Sequence, residues 1–139
     1  MFKTILLAVD LNDDKGATKA AKAAERLALH EESDLHVLNV VPDMGYAIVG
    51  SAFGPDYDKK IRAEAAASLE DWVGKTLDIS AETHVATGTI YDQIIRFANS
   101  IDADAIVVGA HSPELRDYLV GPNAARVVRH ARQSVFVIR

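Results

Sequence analysis

Two glycines near the C-terminus stand where a phosphate group could meet bare backbone. The apolar run Ala105-Ile106-Val107-Val108 ends at Gly109 and is followed by Ala110-His111-Ser112. Gly121-Pro122-Asn123-Ala124 then opens a segment with helical periodicity. A glycine at a strand end and another at a helix N-terminus expose N–H groups in the positive field of the helix dipole, which suits anion binding. Pro122 fits the first helical position, where its missing N–H would go unpaired anyway, so the segment also reads as an ordinary helix start. His111 is either a donor to a ribose or phosphate or a plain loop residue. A second apolar run ends at Asp10 and is followed by Leu11-Asn12-Asp13-Asp14. Asp10, nearest the strand end, could stand beside a phosphate or its Mg²⁺. Asp13 and Asp14 read as a solvated acidic loop.

Other chemistries lack their residues. The chain has no cysteine, which removes disulfides, thiolate metal sites and thiol catalysis. His30, His36, His84, His111 and His130 include no pair at H-x-x-x-H or H-E-x-x-H spacing. His30 reads as a helix C-terminal residue, and His36 and His84 as structural strand residues. Gly45 to Ser51 has the glycine spacing of a P-loop but lacks its lysine, so it reads as a flap near the crevice. No G-x-G-x-x-G follows the first apolar run, and no G-x-S-x-G occurs anywhere. Catalysis therefore has no positive support, and no metal site is expected.

The elements that must position these residues alternate in period. Ile5 to Val9 is a continuous apolar strand, as expected where both faces are buried. Ala17, Ala20, Ala21, Ala24, Leu27 and Ala28 form one helical stripe of small residues. Leu35 to Val41 is a second strand, stopped by Pro42, and residues 43–56 form a loop. Ile61, Ala65, Leu69, Trp72 and Val73 mark a second helix. Ile79, Ala81, Thr83 and Val85 alternate with polar residues, which places that strand at a sheet edge. Ile90, Ile94, Phe97, Ala98 and Ile101 mark a third helix, and Ala105 to Val108 a fourth strand. The fourth helix turns Ala124, Val127, Val128 and Ala131 inward and Arg126 and Arg129 outward. Val135 to Ile138 is the last strand. This β-α succession predicts an α/β fold, a parallel sheet with helices on both faces. In such sheets ligands bind beyond the carboxyl ends of strands, at the point where strand order reverses. An apolar last strand at an open edge would favour a partner chain, hence a dimer.

The 139 residues predict one domain, spanning 1–139. A net charge of −5 argues against nucleic acid and anionic membranes as partners. The longest apolar runs are about five residues, far below the ~20 of a membrane helix. The N-terminus shows no signal-peptide pattern, so a cytoplasmic location is expected.

Taken together, the chain resembles the universal stress protein family along its whole length. The resemblance is carried by Phe2-Lys3-Thr4-Ile5-Leu6-Leu7-Ala8-Val9-Asp10, Leu38-Asn39-Val40-Val41, the Ala86-Thr87-Gly88 turn, Ile106 to Ser112, Gly121 to Ala124 and Ser134 to Arg139. It implies a Rossmann-like, adenine nucleotide alpha hydrolase-like sheet of five parallel strands in the order 3-2-1-4-5. It also implies a homodimer formed through the C-terminal strand, residues 134–139. The ATP-binding branch of the family carries a glycine motif to which Gly109 is similar at its first position. Ser112 stands at the second glycine, only eight residues separate it from Gly121, and Pro122 replaces the following Ser or Thr. By the resemblance, Ala8, Val9 and Asp10 line the adenine and ribose side, and Val40 touches the base. Gly109, His111 and Ser112 meet ribose and phosphates, and Gly121, Asn123 and Ala124 hold the outer phosphates. The implied function is a stress-response regulator that binds ATP, with or without Mg²⁺, or another adenine nucleotide. It would be no enzyme beyond slow ATP hydrolysis. The alternative is a dimer that binds no nucleotide and acts through protein–protein contacts. An adenylate-forming enzyme is a further rival, but its His-rich or Lys-bearing signature is absent.

Overall fold

A computed structural model of the chain describes residues 1–42, 55–110 and 121–139. Five strands are present: β1 (Thr4–Val9), β2 (Asp34–Val41), β3 (Glu82–Thr87), β4 (Ala105–Gly109) and β5 (Ser134–Ile138). They alternate with α1 (Asp14–Glu31), α2 (Pro55–Thr76), α3 (Ile90–Ser100) and α4 (Pro122–His130). All neighbouring strands are parallel, in the order β3-β2-β1-β4-β5. The chain therefore reverses its direction of travel across the sheet between β1 and β4.

The apolar runs of β1, β2 and β4 are continuous because both faces of the sheet are covered. Strand residues alternate between two cores. Ile5, Leu7, Val9, Val37 and Val107 pack against the alanine stripe of α1 and against Leu69, Val73 and Leu77. Leu6, Leu38, Val40, Ile106 and Val108 face Ile94 and Ala98 of α3 and Ala124 and Val127 of α4. The alanines let α1 lie close to the sheet, and Ala20, Ala21 and Ala24 are fully buried.

Several hydrogen bonds fix the start of the central strands. Asp104 accepts from the N–H groups of Lys3 and Thr4 at 2.9 Å each, and its own N–H donates to the Thr4 carbonyl at 2.8 Å. Asp34 N–H donates to the Lys3 carbonyl at 2.8 Å. β1 is thereby registered against both neighbours before its first buried residue.

Some boundaries differ from the periodicity. β3 begins at Glu82, so Ile79 and Ala81 precede the strand and pack beside the α1–α2 core. Ala86 and Thr87 extend β3 rather than forming a turn, because they pair with Val40 and Val41. α2 begins at Pro55, inside the stretch read as a loop. Val128 is exposed rather than inward, and Arg126 and Arg129 are exposed as expected. α4 covers the sheet by a narrow stripe, so only Ala124 and Val127 are buried. No helix among the described residues is long and apolar enough to cross a membrane.

Candidate functional site

The carboxyl ends of β1, β2 and β4 open into a cleft of about 530 Å³, closed laterally by the N-terminal ends of α1 and α4. Its apolar wall includes Ala8, Val9, Leu38, Val40, Ile90, Ile94 and Val108. Polar groups at its rim come from Asp10, Asn12, Asp13, Asn39, Ser68 and Asn123. The described lining holds no lysine, arginine or histidine.

The two helix ends at this cleft differ. After β1 the chain turns sharply: Asp10 Oδ1 accepts from Asn12 N–H at 2.9 Å, and the Asp10 carbonyl accepts from Asp13 N–H at 3.1 Å. Asp13 then caps α1 by accepting from Gly16 N–H at 3.2 Å. Asp14 accepts from Trp72 Nε1 at 3.0 Å and ties α1 to α2. Asp13 and Asp14 thus begin α1 rather than forming a loop, and Asp14 remains solvent-exposed as expected. They place negative charge on the dipole of α1 and so satisfy it from within the chain.

At α4, Gly121 is the N-cap and Pro122 the first helical residue, as the sequence predicts. The first turn carries no acidic side chain. Gly121 N–H donates to the Ala110 carbonyl at 3.0 Å, and Ala125 N–H closes back onto the Gly121 carbonyl at 3.0 Å. Asn123 and Ala124 occupy the positions whose N–H groups have no intrahelical acceptor. Both residues line the cleft. The positive end of α4 is therefore directed at the cleft with no acidic side chain in its own first turn.

Gly109 ends β4 on the opposite side. A Cβ added there would come no nearer than 3.7 Å to any described atom, the Gly16 carbonyl oxygen. Packing by the described residues does not require a glycine at this position.

A family model for the universal stress protein family matches residues 1–139. The chain belongs to the universal stress protein family. It is 33% identical over 144 residues to universal stress protein G of Salmonella typhimurium, with all of both chains covered. It is also similar to the structure of universal stress protein UspA from Lactobacillus plantarum. That match has a TM-score of 0.75 and 27% identity over 99% of this chain and 97% of the other. More distant universal stress proteins share the fold. One from Archaeoglobus fulgidus was solved in complex with dAMP (TM-score 0.62, 22% identity, covering 99% and 98%). Another was solved in complex with cAMP (TM-score 0.68, 16% identity, covering 99% and 97%).

Eight residues singled out in the sequence line this one universal stress protein cleft: Ala8, Val9, Asp10, Val40, Gly109, Gly121, Asn123 and Ala124. They come together because β1 and β4 are neighbours, with Ala8 opposite Val108. His111, Ser112 and the P-loop-like stretch from Gly45 to Ser51 lie outside the described residues. Sequence reasoning missed Asn39, whose Nδ2 donates to the Val9 carbonyl at 3.1 Å and braces β2 against the end of β1. A lone amide in the otherwise apolar end of a buried strand was the available signal. Ser68 and Ile90 left no comparable signal, since each sits in an ordinary helical pattern.

Proposed function

We propose that the cleft binds an adenine nucleotide and that the chain acts as a nucleotide-dependent regulator in the stress response. The observation that carries this reading is the contrast between the two helix ends. α1 is neutralised by Asp13 and Asp14, whereas α4 presents a first turn with no acid to the same cleft. A phosphate seated on the N–H groups of Asn123 and Ala124 would satisfy donors and dipole together. Ala8, Val9 and Val40 would take the base and ribose edge, and Gly109 would let the ligand approach β4 closely. The fold is shared with universal stress proteins solved with dAMP and cAMP, which supports the ligand class.

ATP is the form that best uses a phosphate-binding helix end. Asp13 is occupied as a helix cap, so Asp10 is the carboxylate that would face a Mg²⁺ ion accompanying it. Binding is the activity in this reading, and any hydrolysis would be slow, because the sequence carries no P-loop lysine. We place the protein in the cytoplasm as a homodimer joined through β5. That strand ends the sheet, and Val135, Phe136, Val137 and Ile138 are all only partly buried.

A second reading has its own observation. Pro122 has no N–H, and Gly121 N–H is taken by Ala110, so α4 offers fewer donors than a full first turn. In that reading the chain binds no nucleotide and works through protein–protein contacts.

The test is the nucleotide content of the purified, denatured protein by mass spectrometry, with calorimetric titration of the emptied protein by ATP. Binding that is lost in Gly109→Val, in a protein with unchanged circular dichroism, supports the regulator. The absence of both nucleotide and heat supports the second reading.

A further inference from the structure

At the opposite half of the sheet three metal-ligating side chains converge. The parallel register pairs His36 of β2 with Glu82 of β3, and Leu38 with His84. Glu82 and His84 are two residues apart on β3, so their side chains share a face with that of His36. His36 Nδ1 lies 3.0 Å from His84 Nε2 and 3.5 Å from Glu82 Oε2, and His84 Nε2 lies 3.9 Å from the same oxygen. The two rings are stacked, with centroids 5.2 Å apart. Phe97 of α3 lies against the outer ring, its centroid 4.5 Å from that of His84.

We propose that His36, Glu82 and His84 bind a late first-row divalent cation, with Zn²⁺ as the reference ion. Two imidazoles and one carboxylate are the donor set such ions take in sites with three protein ligands. A tetrahedral Zn²⁺ with bonds of about 2.0–2.1 Å separates its ligand atoms by roughly 3.3–3.4 Å. The three separations here bracket that value, so small side-chain rotations would form the site. The rings are mostly buried while Glu82 reaches solvent, which leaves an open side for a water as fourth ligand. Without an ion the rings share a single hydrogen bond, and the ion would replace that shared hydrogen. It would also join the edge strand β3 to β2 through side chains as well as backbone. The site lies toward the amino ends of β2 and β3, whereas the nucleotide cleft opens at the carboxyl ends of the strands and reaches down to Leu38, the register partner of His84.

The experiment uses tag-free, chelator-stripped protein titrated with Zn²⁺ against a chromophoric indicator, and with Co²⁺ for its visible spectrum. The expected result is one ion per chain, with Co²⁺ bands of tetrahedral intensity. Affinity should fall by at least ~10-fold in Glu82→Gln and further in His84→Gln. Glu82 is largely exposed, so Glu82→Gln should keep the fold and remain informative if the histidine variant is unstable. Failure to bind one ion per chain, or binding with the same affinity in Glu82→Gln and His84→Gln, overturns the site.

Discussion

Gly121 N–H donates to the carbonyl of Ala110, one residue beyond the end of β4, at 3.0 Å. This bond sets the N-terminus of α4 against the carboxyl end of the sheet and uses one of the donors that a phosphate could have taken. Gly121 is itself buried, so its substitution would disturb the fold as well as any ligand.

Asn123 provides the cleaner test. Asp in its place puts a negative charge in the first turn of α4, where Asn123 now lines the cleft. The charge should stabilise the helix by about 0.3–1 kcal/mol through the dipole. The same carboxylate should repel a phosphate and weaken ATP binding at least ~10-fold, since each 1.4 kcal/mol is tenfold. Denaturant titration and calorimetry on Asn123→Asp read the two effects separately. A stabilised variant with undiminished ATP affinity would move the phosphates away from α4.

Glu25 should govern an acid-side change in stability. Its carboxyl is held below its ordinary value chiefly by the Asp78 N–H donated to it, and further by Lys22, while burial opposes the shift. A depressed folded pKa contributes stability that is complete above the unfolded value of 4.5 and lost as pH falls through the folded one. Glu25→Gln should cost about 1 kcal/mol at neutral pH. Its stability curve should meet that of the unsubstituted protein at low pH. Urea midpoints measured from pH 7 downward would show the convergence, and a gap independent of pH would remove the linkage.

Gly88 connects β3 to α3 with φ of +138°, a region L side chains rarely adopt. A Cβ there would also press on Gln93 Nε2 at 3.1 Å. Gly88→Ala should lower stability by roughly 1–3 kcal/mol from backbone strain. The urea midpoint should shift with an unchanged slope, and an unaltered midpoint would show that the turn relaxes freely.

The edge strand β5 gives a prediction on assembly. If its half-buried residues pair with a second copy, sedimentation velocity should find a dimer. Val137→Lys, an edge charge of the kind that blocks strand pairing, should then give monomers with retained helix content. A dimer of unchanged strength in that variant would place the interface elsewhere.

Much of the fold was legible because it rests on local patterns. Continuous apolar runs at β1 and β4 announced strands covered on both faces, and the alanine stripe of α1 announced a helix packed close to a sheet. Gly121-Pro122 announced a helix start that the structure reproduces. The errors fell where covering is partial. Val128 is apolar yet exposed, because α4 touches the sheet along a stripe too narrow to include it. Ile79 and Ala81 continue the alternation of β3 although the ladder begins only at Glu82, where pairing with His36 becomes possible. Periodicity reports which residues avoid water, not which backbone groups find partners.

The sequence by itself determined the types and order of the elements, the family likeness, and the residues available to meet a phosphate, because these depend on neighbours within a few positions. The tertiary structure decided which of those residues meet. Strand order brought Asp10 to the cleft that Gly109 and Asn123 also line, hydrogen bonding committed Asp13 to α1 and Gly121 N–H to Ala110, and register set His36 beside Glu82 and His84 across 46 and 48 positions of chain. No spacing along the chain encodes that last cluster, since parallel pairing joins residues whose separation is set by the length of the intervening crossover.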